Sequence, residues 1–264
     1  HRVLPTTRLH QGEINIIMKF HLVTYSDGEF KKQQDFINRI HGESFEIHAY
    51  DRDWLEGTNF YKKNYALLDD KRGAGWWLWK PYVILDTIEQ VDEGDVVVYC
   101  DCGDMFSPGL LPYLEQNIGE EDLSLLLLGG HPNRQYTKKD CFIGMDCDEE
   151  DYWNSTQLEA GFMVWKACKE SASIVNDWLK YCLDFDILND EPSTKGEESF
   201  DFKEHRHDQS ILTNLAIKEG LSVGGPEYRN FIECDYDYWY ERNEKEGFTM
   251  NREIDSFLLE IKNA

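Results

Sequence analysis

An apolar stretch, FHLVTYS (20–26), runs into the turn pair Asp27-Gly28. Phe30, Phe36, Ile37 and Ile40 follow at helical spacing over 29–41, and then a second strand-like run, FEIHAY (45–50). A strand, a helix and a strand in that order pack economically in one way: the strands lie parallel and the helix crosses a face of the sheet. The alternation continues. KPYVILDTIEQV (80–91) has Pro81 where a first helical turn tolerates it, and DVVVYCD (95–101) reads as a central strand. LSLLLLG (123–129) and LEAGFMVWKA (158–167) are further apolar runs, and a helix rich in Trp, Leu and Ile is predicted from there to about residue 183.

Residues 184–204, acidic and turn-rich, read as a loop, and DQSILTNLAIKEG (208–220) as a helix that Gly220 stops. Ile254, Phe257, Leu258 and Ile261 share one helical face near the end of the chain and predict a helix docked on the domain. The expected fold class is α/β: a single domain over 18–264 with a mixed, mostly parallel central sheet flanked by helices. The first methionine is Met18, so residues 1–17 read as a leader or an appended segment.

Charge narrows the partners. Fifty-one acids against 27 Lys and Arg give a formal charge of −24, which repels nucleic acid and anionic membranes. A phosphate-bearing ligand then needs local cations or a metal to reverse the field. The seven cysteines form no CxxC pair and read as reduced thiols in a core, which favours an intracellular, cytoplasmic setting, with an anchor upstream of the chain left open. No apolar run has the length of a membrane span.

Three clusters carry chemistry. In VVVYCDCGDMF (96–106) a strand ends by presenting Asp101 and Asp104 together, beyond the carboxyl end where open parallel sheets bind ligands. Two hard oxygen donors suit magnesium or manganese; a solvated acidic turn is the plain alternative. KRGAGWWLWKPY (71–82) gathers Lys71, Arg72 and Lys80 around two glycines just before a helix, a setting that favours phosphate, unless its tryptophans are merely core and its cations surface charges. EHRHDQSIL (204–212) packs His205, Arg206, His207, Asp208 and Gln209 into a few residues, suited to metal, sugar hydroxyls or phosphate, or to a solvated helix start capped by Asp208.

Taken together and in order, GAGWWLWKPYVI, DVVVYCDCGDMF, EAGFMVWK and HRHDQSIL resemble nucleotide-sugar glycosyltransferases of the GT-A fold, over about residues 18–225. The pattern is similar to small viral and microbial glycosyltransferases, and more distantly to the glycogenin-like and lipopolysaccharide galactosyltransferase group. The resemblance implies a GT-A-like domain and transfer of a hexose from a nucleoside-diphosphate sugar, with UDP the preferred nucleotide, to a saccharide or other acceptor. It also implies a Mn2+ or Mg2+ cofactor and, by a slight preference, retention of configuration. Residues carried across are Asp101, Gly103 and Asp104 for metal, and Asp208, Gln209 and Glu159 around the reacting sugar. Thr24, Tyr25, Arg72, Gly75, Lys80, Asp101, Cys102, Gly103 and His207 are expected at the donor.

Two departures stand out. Glycine occupies position 103 where that group has its second metal acid, and the chain has no histidine after His207 to supply the late ligand. The aromatic and acidic stretch 228–240 suits an acceptor saccharide or a packed C-terminal segment. A sugar nucleotidyltransferase is the alternative enzyme; against it, YSDGEF follows the first strand where a glycine-rich basic stretch is usual. A non-catalytic carbohydrate-binding protein on the same fold is the alternative of another class.

Overall fold

The computed structural model describes residues 18–107, 109–119 and 122–233. Seven strands are present among them: β1 (Phe20–Ser26), β2 (Glu46–Asp51), β3 (Val96–Cys100), β4 (Met105–Phe106), β5 (Ser124–Pro132), β6 (Thr156–Lys166) and β7 (Ile232–Glu233). Five form the main sheet in the order β2-β1-β3-β6-β5. β1 pairs in parallel with both β2 and β3, and β6 runs antiparallel to its neighbours β3 and β5. A single strand is therefore reversed, and the expected mixed, mostly parallel α/β architecture is what the molecule has.

Strand period explains why the central runs are apolar without alternation. Val96, Val98 and Cys100 of β3 face one core, with Phe36, Ile37 and Leu110, while Val97 and Tyr99 face the other, with Ile84, Trp178 and Ile211. Successive side chains point to opposite faces, and helices cover both, so every position is buried. The helices Trp79–Gln90, Lys169–Cys182 and His207–Glu219 lie on one side; Lys31–His41 and Leu110–Asn117 lie on the other.

The predicted helices at 29–41, 80–91 and 208–220 appear as Lys31–His41 after a short 3-10 turn, Trp79–Gln90 and His207–Glu219. Gly220 ends the last with φ of 65°. Two helices, Arg52–Gly57 and Asn59–Leu68, were not anticipated; Asp51 and Thr58 cap them by accepting from the amides of Trp54 and Tyr61. The stretch 184–204 holds one short helix, Phe185–Leu188, and is otherwise irregular.

Six cysteines are free thiols, five of them buried; Cys168 instead caps the helix Lys169–Cys182. Among the described residues no helix is long and apolar enough to cross a membrane. Cys234, the 1–17 segment, the aromatic stretch beyond 233 and the predicted C-terminal helix lie outside the described residues.

Candidate functional site

β1 and β3 are parallel neighbours, and a cleft of about 500 Å³ opens beyond their carboxyl ends. Tyr25 and Asp27 enter it from β1, Asp101 to Asp104 from β3, and Lys71, Gly73, Ala74, Trp77 and Trp79 from the segment ahead of the helix Trp79–Gln90. An open α/β sheet leaves its ligand crevice at this place because the connecting loops diverge there.

Asp101 and Asp104 converge on one spot. A methyl group built on Gly161, in β6, would lie 3.3 Å from Asp101 Oδ2 and 2.5 Å from Asp104 Oδ2. Any larger residue here would push the Asp104 carboxylate away from Asp101, and the Gly161 carbonyl accepts from the Asp101 amide at 2.7 Å. Among the described residues no cluster of three or more His, Cys, Asp and Glu side chains forms a ready metal cage. The pair nevertheless fits a hard divalent cation that takes its remaining ligands from water and phosphate, the habit of magnesium and manganese. Gly103 has no side chain to coordinate; it lines the cleft with space above its Cα.

Behind this pair the Lys80 ammonium lies 3.2 Å from Asp101 Oδ1, 3.7 Å from Asp208 Oδ2 and 3.0 Å from the Ala160 carbonyl it donates to. Tyr99 donates its hydroxyl to Asp101 from two positions back, on β3. Burial pushes the Asp208 carboxyl up to about 7, against the pull of Lys80 and with a further push from Asp101. Asp208 Oδ2 has no hydrogen-bond partner. Lys80 stays charged in spite of complete burial, because Asp101 and Asp208 outweigh the desolvation that would lower it.

The backbone at the cleft edge is strained. Gly73, Ala74, Gly75, Trp76 and Trp77 all have φ between 50° and 101°, a left-handed turn that side chains disfavour by roughly 1 kcal/mol each. The Trp77 ring folds back over Gly73, where a Cβ would sit 2.2 Å from it, and stacks on His207 with centroids 5.2 Å apart. The turn thus spends strain to aim an indole into the cleft. On the facing wall Tyr25 stacks on Trp79 at 3.9 Å, and its buried hydroxyl has no partner.

The other sequence candidates take up different positions. Thr24 is buried, with its hydroxyl donated to Asn38 at 3.1 Å, away from the cleft lining. Arg72 pairs with Asp190 outside the cleft at 3.4 Å and lies over the Trp77 ring, so Lys71 is the cation that lines it. Gly75 has its Cα against the Leu68 backbone and is there for close packing. Cys102 turns its thiol inward to the Tyr25 carbonyl at 3.0 Å; burial pushes that thiol up to about 12. His207 is the buried floor beneath Trp77, its Nδ1 2.9 Å from the Leu188 carbonyl.

Gln209 accepts from the Ala160 amide at 3.2 Å and donates to Gln157 at 2.9 Å, strapping the helix His207–Glu219 to β6. Glu159 accepts from Arg229, a contact no sequence signal announced because 70 positions separate the two. Trp77 and Lys71 stood in a stretch already singled out, yet nothing in the residue order told which of its members face the cleft.

No protein-family model matches the sequence, and no curated protein matches it. Among solved structures the chain is similar to the galactosyltransferase LgtC in complex with donor and acceptor sugar analogues, at 14% identity over 80% of this chain and 82% of that one, with a TM-score of 0.43. It is also similar to mouse xyloside xylosyltransferase 1 in its apo form, at 8% identity over 78% and 84% of the two chains, TM-score 0.41. A third similar structure, from Bacillus anthracis, is described as a glucose-1-phosphate thymidylyltransferase in complex with sucrose, at 10% identity over 78% and 86%, TM-score 0.34. Similarity at this level carries nothing about activity.

Proposed function

We propose that the protein is a glycosyltransferase that moves a hexose from a nucleoside-diphosphate sugar, tested first as a UDP-sugar, to a saccharide acceptor. The observation that carries this reading is the convergence of Asp101 and Asp104 over Gly161 at the mouth of an aromatic cleft. Asp101 and Asp104 would hold a Mn2+ or Mg2+ ion. Once bound, that ion neutralises the charge that builds on a departing diphosphate.

The chain's own residues do the rest. Trp77 offers the cleft a ring for a nucleobase, backed by the stacked and buried pair Tyr25 and Trp79. Lys71 brings a cation to the phosphates. Lys80 fixes Asp101 and Asp208 relative to one another. Asp208 lies buried behind Asp101 against Lys80, and its unpartnered Oδ2 is the atom it would turn toward a sugar hydroxyl. Glu159, tethered by Arg229, stands beside Gly129 on the adjoining strand, where an acid can orient the sugar. Retention of the anomeric configuration is the outcome implied by the likeness in sequence to galactosyltransferases.

Thermal unfolding with UDP-glucose and UDP-galactose, with and without MnCl2, tests the proposal, because a ligand that binds only the folded state raises its stability. A manganese-dependent rise is expected for the wild type and lost in Asp101→Asn. An equal rise in the two proteins refutes the assignment.

A further inference from the structure

A second cleft, about 650 Å³ in volume, opens beside the short helix Asn133–Tyr136, away from the carboxylate pair. Arg134, Thr137 and Lys139 form one wall, Glu150 and Trp153 another, and the segment 197–200 closes the third. That segment belongs to the acidic stretch that reads as a plain loop in sequence, but it is nailed down. Asp140 accepts from the amides of Thr194 at 2.9 Å and Lys195 at 2.7 Å, and Glu198 accepts from the Lys139 amide at 2.9 Å. Asp201 accepts from Arg134, Gln135 and Ser199, bonds that hold its carboxyl down at about 2. The hollow therefore exists before any ligand arrives, the condition under which binding costs least ordering.

Its chemistry is selective. The Phe200 ring stands at the rim 95% exposed, so a ligand that stacks on it buries apolar area on both partners. Trp153 lines the cleft with it. Both cations are matched inside the protein: Arg134 with Asp201 and Asn154, Lys139 with Asp148 at 2.6 Å and with the Trp153 ring at 4.9 Å. Glu150, Glu197 and Glu198 then leave the lining net negative. A phosphate or sulfate is repelled, while a neutral ligand with apolar faces and many hydroxyls is met on both counts by rings and carboxylates. The volume lies in the range of small-ligand sites.

We propose that this cleft binds a neutral oligosaccharide, with sugar faces on Phe200 and Trp153 and hydroxyls on Glu150 and Glu197. Behind its floor runs a chain of bonds toward the carboxylate pair: Gln157 donates to the Thr137 hydroxyl at 3.3 Å and accepts from Gln209 at 2.9 Å, Gln209 accepts from the Ala160 amide, and the Ala160 carbonyl accepts from Lys80. Use of the cleft as a foothold for the far end of an acceptor rests on the transferase reading; the binding itself does not.

Saturation-transfer NMR with maltopentaose, cellopentaose and chitotetraose, in the absence of nucleotide, tests it, with spermidine as the cationic control. Binding of at least one neutral oligosaccharide is expected. Its affinity should fall about tenfold in Phe200→Ala, the worth of one aromatic stack of about 1.4 kcal/mol. Phe200 is exposed enough to be replaced without disturbing the fold, and Trp153→Ala should weaken binding as well. Asp101→Asn should bind the oligosaccharide as the wild type does. No oligosaccharide binding, binding indifferent to Phe200→Ala and Trp153→Ala, binding lost in Asp101→Asn, or binding of spermidine alone overturns the proposal. Failure of the nucleotide–manganese experiment leaves this result intact, so the two readings fall separately.

Discussion

The Lys80 ammonium and the Asp208 carboxylate lie 3.7 Å apart, with 3% and 5% of their side chains exposed. Asp101 approaches the same ammonium from the cleft side. The buried ammonium and the buried Asp208 are stable only together, because each was stripped of water that the other replaces, while Asp101, 35% exposed, keeps part of its own. Lys80→Met should therefore lower unfolding stability by about 3 kcal/mol, read from urea denaturation at neutral pH. Adding Asp208→Asn to that variant should recover part of the loss, since the two changes share one partner. Wild-type stability in the single variant would show that the ammonium is not needed to hold the acids.

The glycines at 161 and 103 make opposite predictions. A Cβ at Gly161 collides with Asp104 and crowds Asp101, while one at Gly103 meets nothing within 4 Å. Gly161→Ala should abolish the manganese-dependent thermal rise with UDP-sugars, and Gly103→Ala should keep it. The reverse pattern would place the ion elsewhere.

Ala74 has φ of 50° and ψ of 46° in the left-handed turn, where glycine carries no Cβ penalty. Ala74→Gly should raise stability, the relieved strain of about 1 kcal/mol being partly offset by the freer unfolded chain. Differential scanning calorimetry reads the change, and a fall in Tm would mean the turn is not strained at this position.

His41 stacks on Phe106 at 3.8 Å, and its Nε2 has no hydrogen-bond partner. Burial lowers its imidazole from the ordinary 6.5 to about 4. Between those values the unfolded chain binds a proton that the folded one refuses, so stability is full above pH 6.5 and falls as pH drops toward 4. The slope from this residue is at most about 1.4 kcal/mol per pH unit. His41→Phe keeps a ring against Phe106 and should flatten the acid limb of the stability profile; an unchanged limb would assign it to other groups.

The residue order was enough for the layers of this molecule. Unbroken apolar runs bounded by turn residues, and a glycine that stops a helix, are local signals, so FHLVTYS, DVVVYCD and DQSILTNLAIKEG announce their elements wherever they are placed. The helices Arg52–Gly57 and Asn59–Leu68 were harder to read, because only Leu55 of the first and Leu68 of the second are fully buried and the apolar pattern is faint.

Sequence named Asp101 and Asp104 in the cleft and Lys80 and Asp208 behind it, since acids at a strand end and charged residues at a helix start carry their meaning locally. Which of them meet was decided by tertiary structure. Strand pairing sets Gly161 beneath both acids, a run of positive φ turns Trp77 into the cleft and leaves Arg72 outside it, and chain reversal brings Arg229 to Glu159 across 70 positions. Periodicity is a property of neighbours along the chain. Convergence of side chains belongs to the closed fold, where separation in sequence no longer measures distance.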